Sequence, residues 1–244
     1  MTWETLSAAC AILLLAYFIR GISGFGSGLI AVPLLAHFLP LQFVVPFILV
    51  LDFIASIALS GHTRKNVQWA EVKPLVPFTV IGVILGVVLL IQLPKGPLLT
   101  GLGIFVIIFG LRNILNLHGE KIISRWWAIP AGLTGGIVGA LFGTGGPPYV
   151  IYLSHRLRDK ADVRATFSGL FLIDGGLRII SFLVAGLLLQ SHMIAALLGA
   201  LPVMALGLYL GHRVHVGLTN QQILRLIGLL LLVSGVSLFW KAWG

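Results

Sequence analysis

The sequence predicts an all-α, polytopic membrane protein made of two related halves, and three observations support this fold class. Hydrophobic residues make up 58% of the 244 residues and charged residues only 9%, with a mean hydropathy of +1.07. A soluble domain carries about 25% charged residues, so this composition cannot cover a water-facing surface. The other two observations are a series of apolar segments and a repeat of glycine, proline and aspartate positions along the chain.

Ten apolar segments can be delimited, and two of them are too short to span a bilayer comfortably. A spanning helix needs about 20 residues. The short segments are 28–39 and 147–154, and each follows a glycine-rich break, at 21–28 and at 143–148. The other eight segments are 5–20, 41–60, 74–93, 97–117, 126–142, 166–189, 192–211 and 222–240.

The ten segments form two sets of five, which predicts two repeats, 1–117 and 126–244, within a single membrane domain. Gly24 and Gly26 correspond to Gly143 and Gly145 at an offset of 119 residues. Further matches occur at offsets of 122 and 125: Asp52 with Asp174, Pro77 with Pro202, Gly82 with Gly207, Gly86 with Gly211, Gly103 with Gly228 and Gly110 with Gly235. The offset grows only at connections, as expected of a duplicated unit with loop insertions.

Lysine and arginine cluster in four connections, which we expect to face the cytoplasm. They are 61–73, 112–125, 155–165 and 212–219. Because the second and third lie on the same side, the segments between them must enter and return as a broken helical hairpin. Each half then has one broken hairpin and three full spans, and this odd number predicts inverted repeats. Two parallel halves of four spans are the alternative, because acidic residues weaken the charge signal of 155–165.

The two breaks predict an anion-binding site. A break inside the bilayer exposes N–H and C=O groups, so it is tolerated only beside protein or a water-filled cavity. The short helix after each break presents free N–H groups and a partial positive charge. Ser27 is a candidate N-cap for the first short helix, and Pro147 or Pro148 suits the first position of the second. The alternative is that the glycines only allow close helix packing.

The expected substrate site combines both breaks with two nearby arginines. Its residues are Arg20, Ser23, Gly24, Gly26, Ser27, Gly143, Thr144, Gly145, Gly146 and Arg178. Breaks related by an inverted repeat would face each other near the midplane. Asp52 and Asp174 lie in apolar segments, where a carboxylate is costly, and are candidates for proton coupling or for structural ion pairs. Arg178 follows Asp174 by four residues, which favours a pair between them, and Arg20 is the candidate partner of Asp52.

The net charge of +9 and the seven histidines indicate neither nucleic acid nor a metal. The basic residues fall in short connections, which the positive-inside rule explains, and no basic groove with interleaved aromatic residues is seen. The histidine spacing suggests no metal site, and no cofactor is expected. Residues 21–24 match the G-x-S-G of rhomboid-type intramembrane proteases, but no span carries a central histidine to act as base for Ser23, so we expect no enzyme.

The two break sequences resemble those of a known family. G-F-G-S-G-L-I-A-V-P at 24–33 and G-T-G-G-P-P-Y-V at 143–150 are similar to the paired glycine-rich motifs of the TauE/SafE family, the sulfite-exporter and four-toluenesulfonate-permease-like membrane proteins. The resemblance covers nearly the whole chain, although family members often carry a third glycine where Pro147 stands here. It implies transport of small sulfur-containing anions, such as sulfite, sulfonates or sulfoacetate, across the bacterial inner membrane.

The leading hypothesis is therefore a secondary transporter for such anions that works by alternating access. A channel for anions or small solutes is the alternative. The partners that we expect are the small anion and the lipid bilayer, with a coupling proton and a second copy of the chain as further candidates.

Overall fold

The computed structural model describes residues 3–24, 26–59, 67–115, 123–213 and 220–243. Within these ranges the chain forms α-helices, one 3-10 turn at Arg125–Trp127 and no strand, which confirms the all-α class. The helices are α1 (Trp3–Ser23), α2 (Ser27–Leu35), α3 (Leu41–Leu59), α4 (Trp69–Val72), α5 (Val76–Gln92), α6 (Lys95–Leu115), α7 (Ala128–Phe142), α8 (Gly146–Arg156), α9 (Lys160–Val184), α10 (Met193–Arg213) and α11 (Asn220–Trp243).

Six of the described helices are long and apolar enough to cross a membrane: α1, α3, α6, α9, α10 and α11. The apolar helix α5 has 17 residues and measures about 26 Å, slightly less than the hydrocarbon core. The chain is therefore a multi-pass membrane protein, as its composition predicts.

Both predicted hairpins are interrupted where the glycines occur. Helix α1 ends at Ser23 and α2 begins at Ser27, while α7 ends at Phe142 and α8 begins at Gly146. With 9 and 11 residues, α2 and α8 are about 14 and 17 Å long, roughly half the thickness of the hydrocarbon core. Each break is thus followed by a helix that cannot span the bilayer.

The helices form two compact units that do not follow the sequence repeats. One unit contains Met1–Leu51, Leu93–Leu117 and Gln190–Gly244, and the other contains Asp52–Gln92 and His118–Leu189. In the first unit the hairpin α1–α2 packs with α6, α10 and α11, and in the second the hairpin α7–α8 packs with α5 and α9. Each broken hairpin therefore lies against helices that belong to the other repeat.

The crossings of α5 with α7 and of α10 with α1 agree with the predicted duplication. A Cβ on Gly82 would overlap the carbonyl oxygen of Leu133, and one on Gly207 would lie 2.9 Å from the carbonyl oxygen of Leu14. Gly207 follows Gly82 by 125 positions and Leu133 follows Leu14 by 119, which are two of the offsets between the predicted repeats. One turn further along, two more glycines meet equivalent carbonyls, Gly86 that of Ile137 and Gly211 that of Phe18. These four glycines allow close helix packing, because no side chain fits between the backbones.

Helices α6 and α11, the last of each repeat, cross through glycines and run antiparallel. Gly103 lies against Gly235, and Gly110 lies against Gly228. The residue numbers thus rise along α6 while those of its contacts on α11 fall. Equivalent helices related by an axis along the membrane normal would run parallel instead. The inverted arrangement stays a prediction, and this antiparallel contact supports it.

Candidate functional site

The second break packs its glycines tightly against α7. Gly143 ends this helix in the left-handed region, with φ 67°, and its N–H donates to the carbonyl of Gly139 at 3.0 Å. Glycine is the usual residue at this helix-ending position because it has no Cβ to strain there. A Cβ on Gly145 would lie only 2.5 Å from the carbonyl oxygen of Gly135. The break therefore needs glycine for close contact with α7 as well as for its backbone conformation.

Thr144 carries a buried hydroxyl that is not hydrogen-bonded. The residue is 5% exposed, and its Oγ1 has no hydrogen-bond partner among the described residues. Leaving such a group unsatisfied costs about 1–3 kcal/mol. The start of α8 is also short of backbone donors, because Pro147 and Pro148 have no N–H. The donors that remain at this helix end are the Thr144 hydroxyl and the N–H groups of Gly145 and Gly146.

Arg178 reaches the second break from α9. Its Nη1 donates to the carbonyl of Gly139 at 2.9 Å, and its Nη2 lies 2.7 Å from Oδ2 of Asp174, so the pair expected from their spacing is present. Its Nε has no hydrogen-bond partner among the described residues. A Cβ built on Gly139 would lie 3.5 Å from this Nε and 3.4 Å from the Cα of Gly145. The guanidinium and the break thus lie against the same point of α7.

Tyr149, which the sequence did not single out, completes this group of side chains. It is buried on α8, and its hydroxyl lies 3.2 Å from Oδ1 of Asp174 and 3.2 Å from Oγ1 of Thr79 on α5. Its ring fills the space beside Gly135, where a Cβ would collide with it. Helices α5, α7, α8 and α9 therefore meet at one buried polar group, called here the break cluster: Thr79, Tyr149, Asp174 and Arg178, with Thr144 in the adjacent break.

The first break lies in the other unit and keeps more backbone donors. Gly24 and Gly26 have φ 81° and 96°, and a Cβ on either would meet no atom of the described residues within 4 Å. Gly26 is the N-cap of α2 and Ser27 its first residue, so the prediction that Ser27 is the N-cap is wrong. The chain enters the helix in a left-handed conformation that favours glycine. Because no proline follows directly, the N–H groups of Gly26, Ser27, Gly28 and Leu29 all precede the first intrahelical bond.

Arg20 lies at this first break. It is buried in the last turn of α1, and its Nη1 donates to Oγ of Ser27 at 2.8 Å. The hydroxyl of Ser23 donates to the carbonyl of Ile19 at 2.8 Å. Each break thus has one buried arginine beside it, from α1 in the first case and from α9 in the second. Asp52 is buried in α3. That the two breaks form one pocket stays a prediction.

A second polar cluster fixes the opposite end of α8. Arg156 makes two hydrogen bonds with the carboxylate of Glu71 on α4, from Nε at 3.0 Å and from Nη2 at 2.8 Å. The hydroxyl of Tyr152 donates to the same carboxylate at 2.8 Å, and the more exposed Arg125 lies 3.2 Å away. These donors, Arg156 above all, lower the pKa of Glu71 from 4.5 to about 2, against the opposing effect of burial. Helix α8 is therefore held at both ends by buried polar contacts.

Comparisons with known proteins agree with a transporter. The family model described as sulfite exporter TauE/SafE matches residues 9–238, which include both breaks. The chain is 30% identical over 201 residues to the probable inner membrane transporter protein TsaS of Comamonas testosteroni, a match that covers 80% of this chain and 82% of that protein. No solved structure matches the chain significantly.

Proposed function

Because the chain belongs to the TauE/SafE family, we propose that it is a secondary transporter that carries small sulfur-containing anions, such as sulfite or sulfonates, by alternating access. It is a multi-pass protein of the inner membrane. One observation carries the proposal: the unsatisfied hydroxyl of Thr144 lies at a helix break that also has a buried arginine beside it.

The second break offers the donors and the charge that an oxyanion requires. Thr144 contributes a hydroxyl, Arg178 contributes an unused Nε–H, and the start of α8 contributes two glycine N–H groups. Sulfite and sulfonate groups present three oxygens, which can accept from several of these donors together. Hydrogen bonds to charged groups are worth about 1.5–3 kcal/mol each, so binding would offset the cost of leaving these groups buried and unsatisfied.

The first break adds a second candidate set of donors. Four successive N–H groups at the start of α2 and the nearby Arg20 would favour a negative charge there. Each break is therefore a candidate anion-binding site by itself, the first with Arg20, Ser23, Gly24, Gly26 and Ser27 and the second with Gly143, Thr144, Gly145, Gly146 and Arg178. Tyr149 joins the second as the residue that positions Asp174 and thereby Arg178.

The test is uptake of labelled sulfite and methanesulfonate into proteoliposomes. Thr144→Val removes the hydroxyl and keeps the shape, so we expect the concentration for half-maximal uptake to rise about tenfold or more. Thr134→Val is the matched control, because this exposed threonine of α7 makes a local bond to the Pro130 carbonyl. Unchanged uptake by the Thr144 variant would contradict the site.

The wild-type protein separates the transporter from the channel. A transporter coupled to protons accumulates the anion above its external concentration when a proton gradient is imposed, and a channel does not. If the wild type carries neither anion, the proposed substrate class is wrong.

A further inference from the structure

We propose that Asp174 is the group that takes up the coupling proton, because its carboxylate and the substrate anion compete for Arg178. The inference rests on the proposed function and concerns the break cluster. It makes the transporter a symporter of one proton with one anionic charge.

Charge balance in the cluster provides the first argument. Arg178 and Asp174 are each 1% exposed and together are neutral. The Phe171 ring lies 5.8 Å from Cζ of Arg178, so an aromatic side chain also borders the guanidinium. An anion that binds there would add an uncompensated buried charge, which costs several kcal/mol. A proton on Asp174 removes that cost, because the guanidinium then balances the anion alone.

The geometry allows this exchange without moving Arg178. Its Nη1 is fixed to the carbonyl of Gly139 on α7, independently of Asp174. Its Nε is unused and lies beside Gly139, the point that the break also contacts. The guanidinium can therefore keep its bond to Gly139 while an anion oxygen replaces the Asp174 carboxylate at the edge formed by Nε and Nη2.

Tyr149 supplies a partner for either form of Asp174. Its hydroxyl is equally distant, at 3.2 Å, from Oδ1 of Asp174 and from Oγ1 of Thr79. It donates to the carboxylate when Asp174 is ionised. When Asp174 is protonated, the phenol can turn its hydrogen towards Thr79 and accept the new O–H, so neither state leaves a polar group unsatisfied.

Two of the helices beside Asp174 carry a competing titratable group. Helix α8 presents Tyr149, whose ionisation would add another buried negative charge, and α5 presents the neutral Thr79. Helix α7 presents the Gly139 carbonyl to Arg178. Helix α3 packs on α9 through Phe53 and carries Asp52, a buried carboxylate and the alternative proton acceptor. The experiment must therefore separate the two aspartates.

The proposed step moves a proton and no electrons. A proton from water adds to a carboxylate oxygen of Asp174, and the ion pair with Nη2 of Arg178 is lost. The anion then accepts from Nε of Arg178 and from the Thr144 hydroxyl. Release of the anion on the other side restores the ion pair and returns the proton to water.

The first experiment counts protons on the wild-type protein. Methanesulfonate stays ionised throughout the neutral range, so any proton taken up on its binding must attach to the protein. In a weakly buffered detergent solution with a pH indicator, we expect one proton per bound methanesulfonate, and none would overturn the proposal. If the protein carries sulfite and not methanesulfonate, the count is made with sulfite and includes only protons beyond those of its own titration.

The second experiment uses Asp174→Asn, which resembles the protonated residue. In proteoliposomes, we expect this variant to exchange labelled for unlabelled methanesulfonate, whereas an acidic exterior no longer accelerates its net uptake. Asp162→Asn is the matched control, because this aspartate near the start of α9 bonds at the surface to Gln68, and it should respond to the gradient like the wild type. An Asp174→Asn variant that still accumulates anion along the proton gradient would overturn the assignment.

Three further outcomes remain distinguishable. If Asp174→Asn does not fold, proton uptake by Asp52→Asn decides: retained uptake supports Asp174, and lost uptake overturns it. A wild type that transports the anion without any response to protons refutes this inference and leaves the proposed function intact. A wild type that transports neither anion removes both.

Discussion

Replacing Glu71 with glutamine should cost about 3 kcal/mol of stability at neutral pH. In the folded protein the pKa of this carboxyl is lowered from 4.5 to about 2, and each unit corresponds to about 1.4 kcal/mol in favour of the ionised form. Glu71 is 5% exposed, so water screens its contacts little. Most of the effect comes from the two bonds of Arg156, since Arg125 is largely exposed. Glutamine keeps the shape and leaves Arg156 without its counter-charge.

The sign of the pH dependence follows from the lowered pKa. A carboxyl whose pKa is lower in the folded state stabilises the fold above its unfolded value of 4.5, and this contribution is lost as the pH falls towards about 2. Over this pH range the wild type should therefore lose the stabilisation that comes from the ionised Glu71 carboxylate. The Glu71→Gln variant lacks this stabilisation at every pH. The gap between the two proteins should be widest at neutral pH and should close in acid.

The assay is detergent-induced or thermal unfolding of the purified protein, followed by tryptophan fluorescence between neutral pH and about pH 2. Glu4→Gln is the control, because Glu4 is an exposed acidic residue in the first turn of α1. Equal stability of Glu71→Gln and wild type at neutral pH, or a gap that does not narrow in acid, would refute the reasoning.

Two further predictions concern glycines. Gly82→Ala should destabilise the protein by about 1–3 kcal/mol, because its Cβ would overlap the Leu133 backbone. Gly199→Ala is the control: its Cβ would meet no described atom within 4 Å, so it should be neutral or stabilising by up to about 1 kcal/mol. Similar shifts in the melting temperatures of the two variants would contradict the close packing at Gly82. Gly26→Ala should cost about 1–2 kcal/mol through its left-handed φ of 96° alone and should reduce anion uptake. Gly26→Asn should cost less in melting temperature, since asparagine tolerates that region better; equal losses would argue against backbone strain.

The helical fold and both breaks could be predicted because their signals are local. Apolar runs define helices wherever they occur, and glycine with proline interrupts them at the same place in the chain. The mistaken N-cap shows the limit of such signals. Ser27 is a good capping residue in isolation, but the backbone turns at Gly26, and the serine side chain accepts from Arg20 instead.

The break cluster and the Glu71 network depend on packing between distant segments. Only the pair Asp174–Arg178 has a spacing that sequence can interpret, because both residues lie one helical turn apart. Tyr149 reaches Asp174 from another helix, and Glu71 meets Arg156 from 85 positions away. In the sequence, Glu71 is recognisable only as an acidic residue that reduces the net positive charge of the connection 61–73. No periodicity or motif relates residues that meet in this way, so these contacts emerge only with the structure.

The crossing of each hairpin with the other repeat has a consequence for shortened chains. A chain that ended after α6 would leave the glycine face of α5 without α7, and α1 without α10. The same bare faces would, however, recur on a second copy of that half, since the contacts are equivalent. Two half-length molecules would therefore cover these faces for one another, so a separately expressed first half should assemble as a dimer.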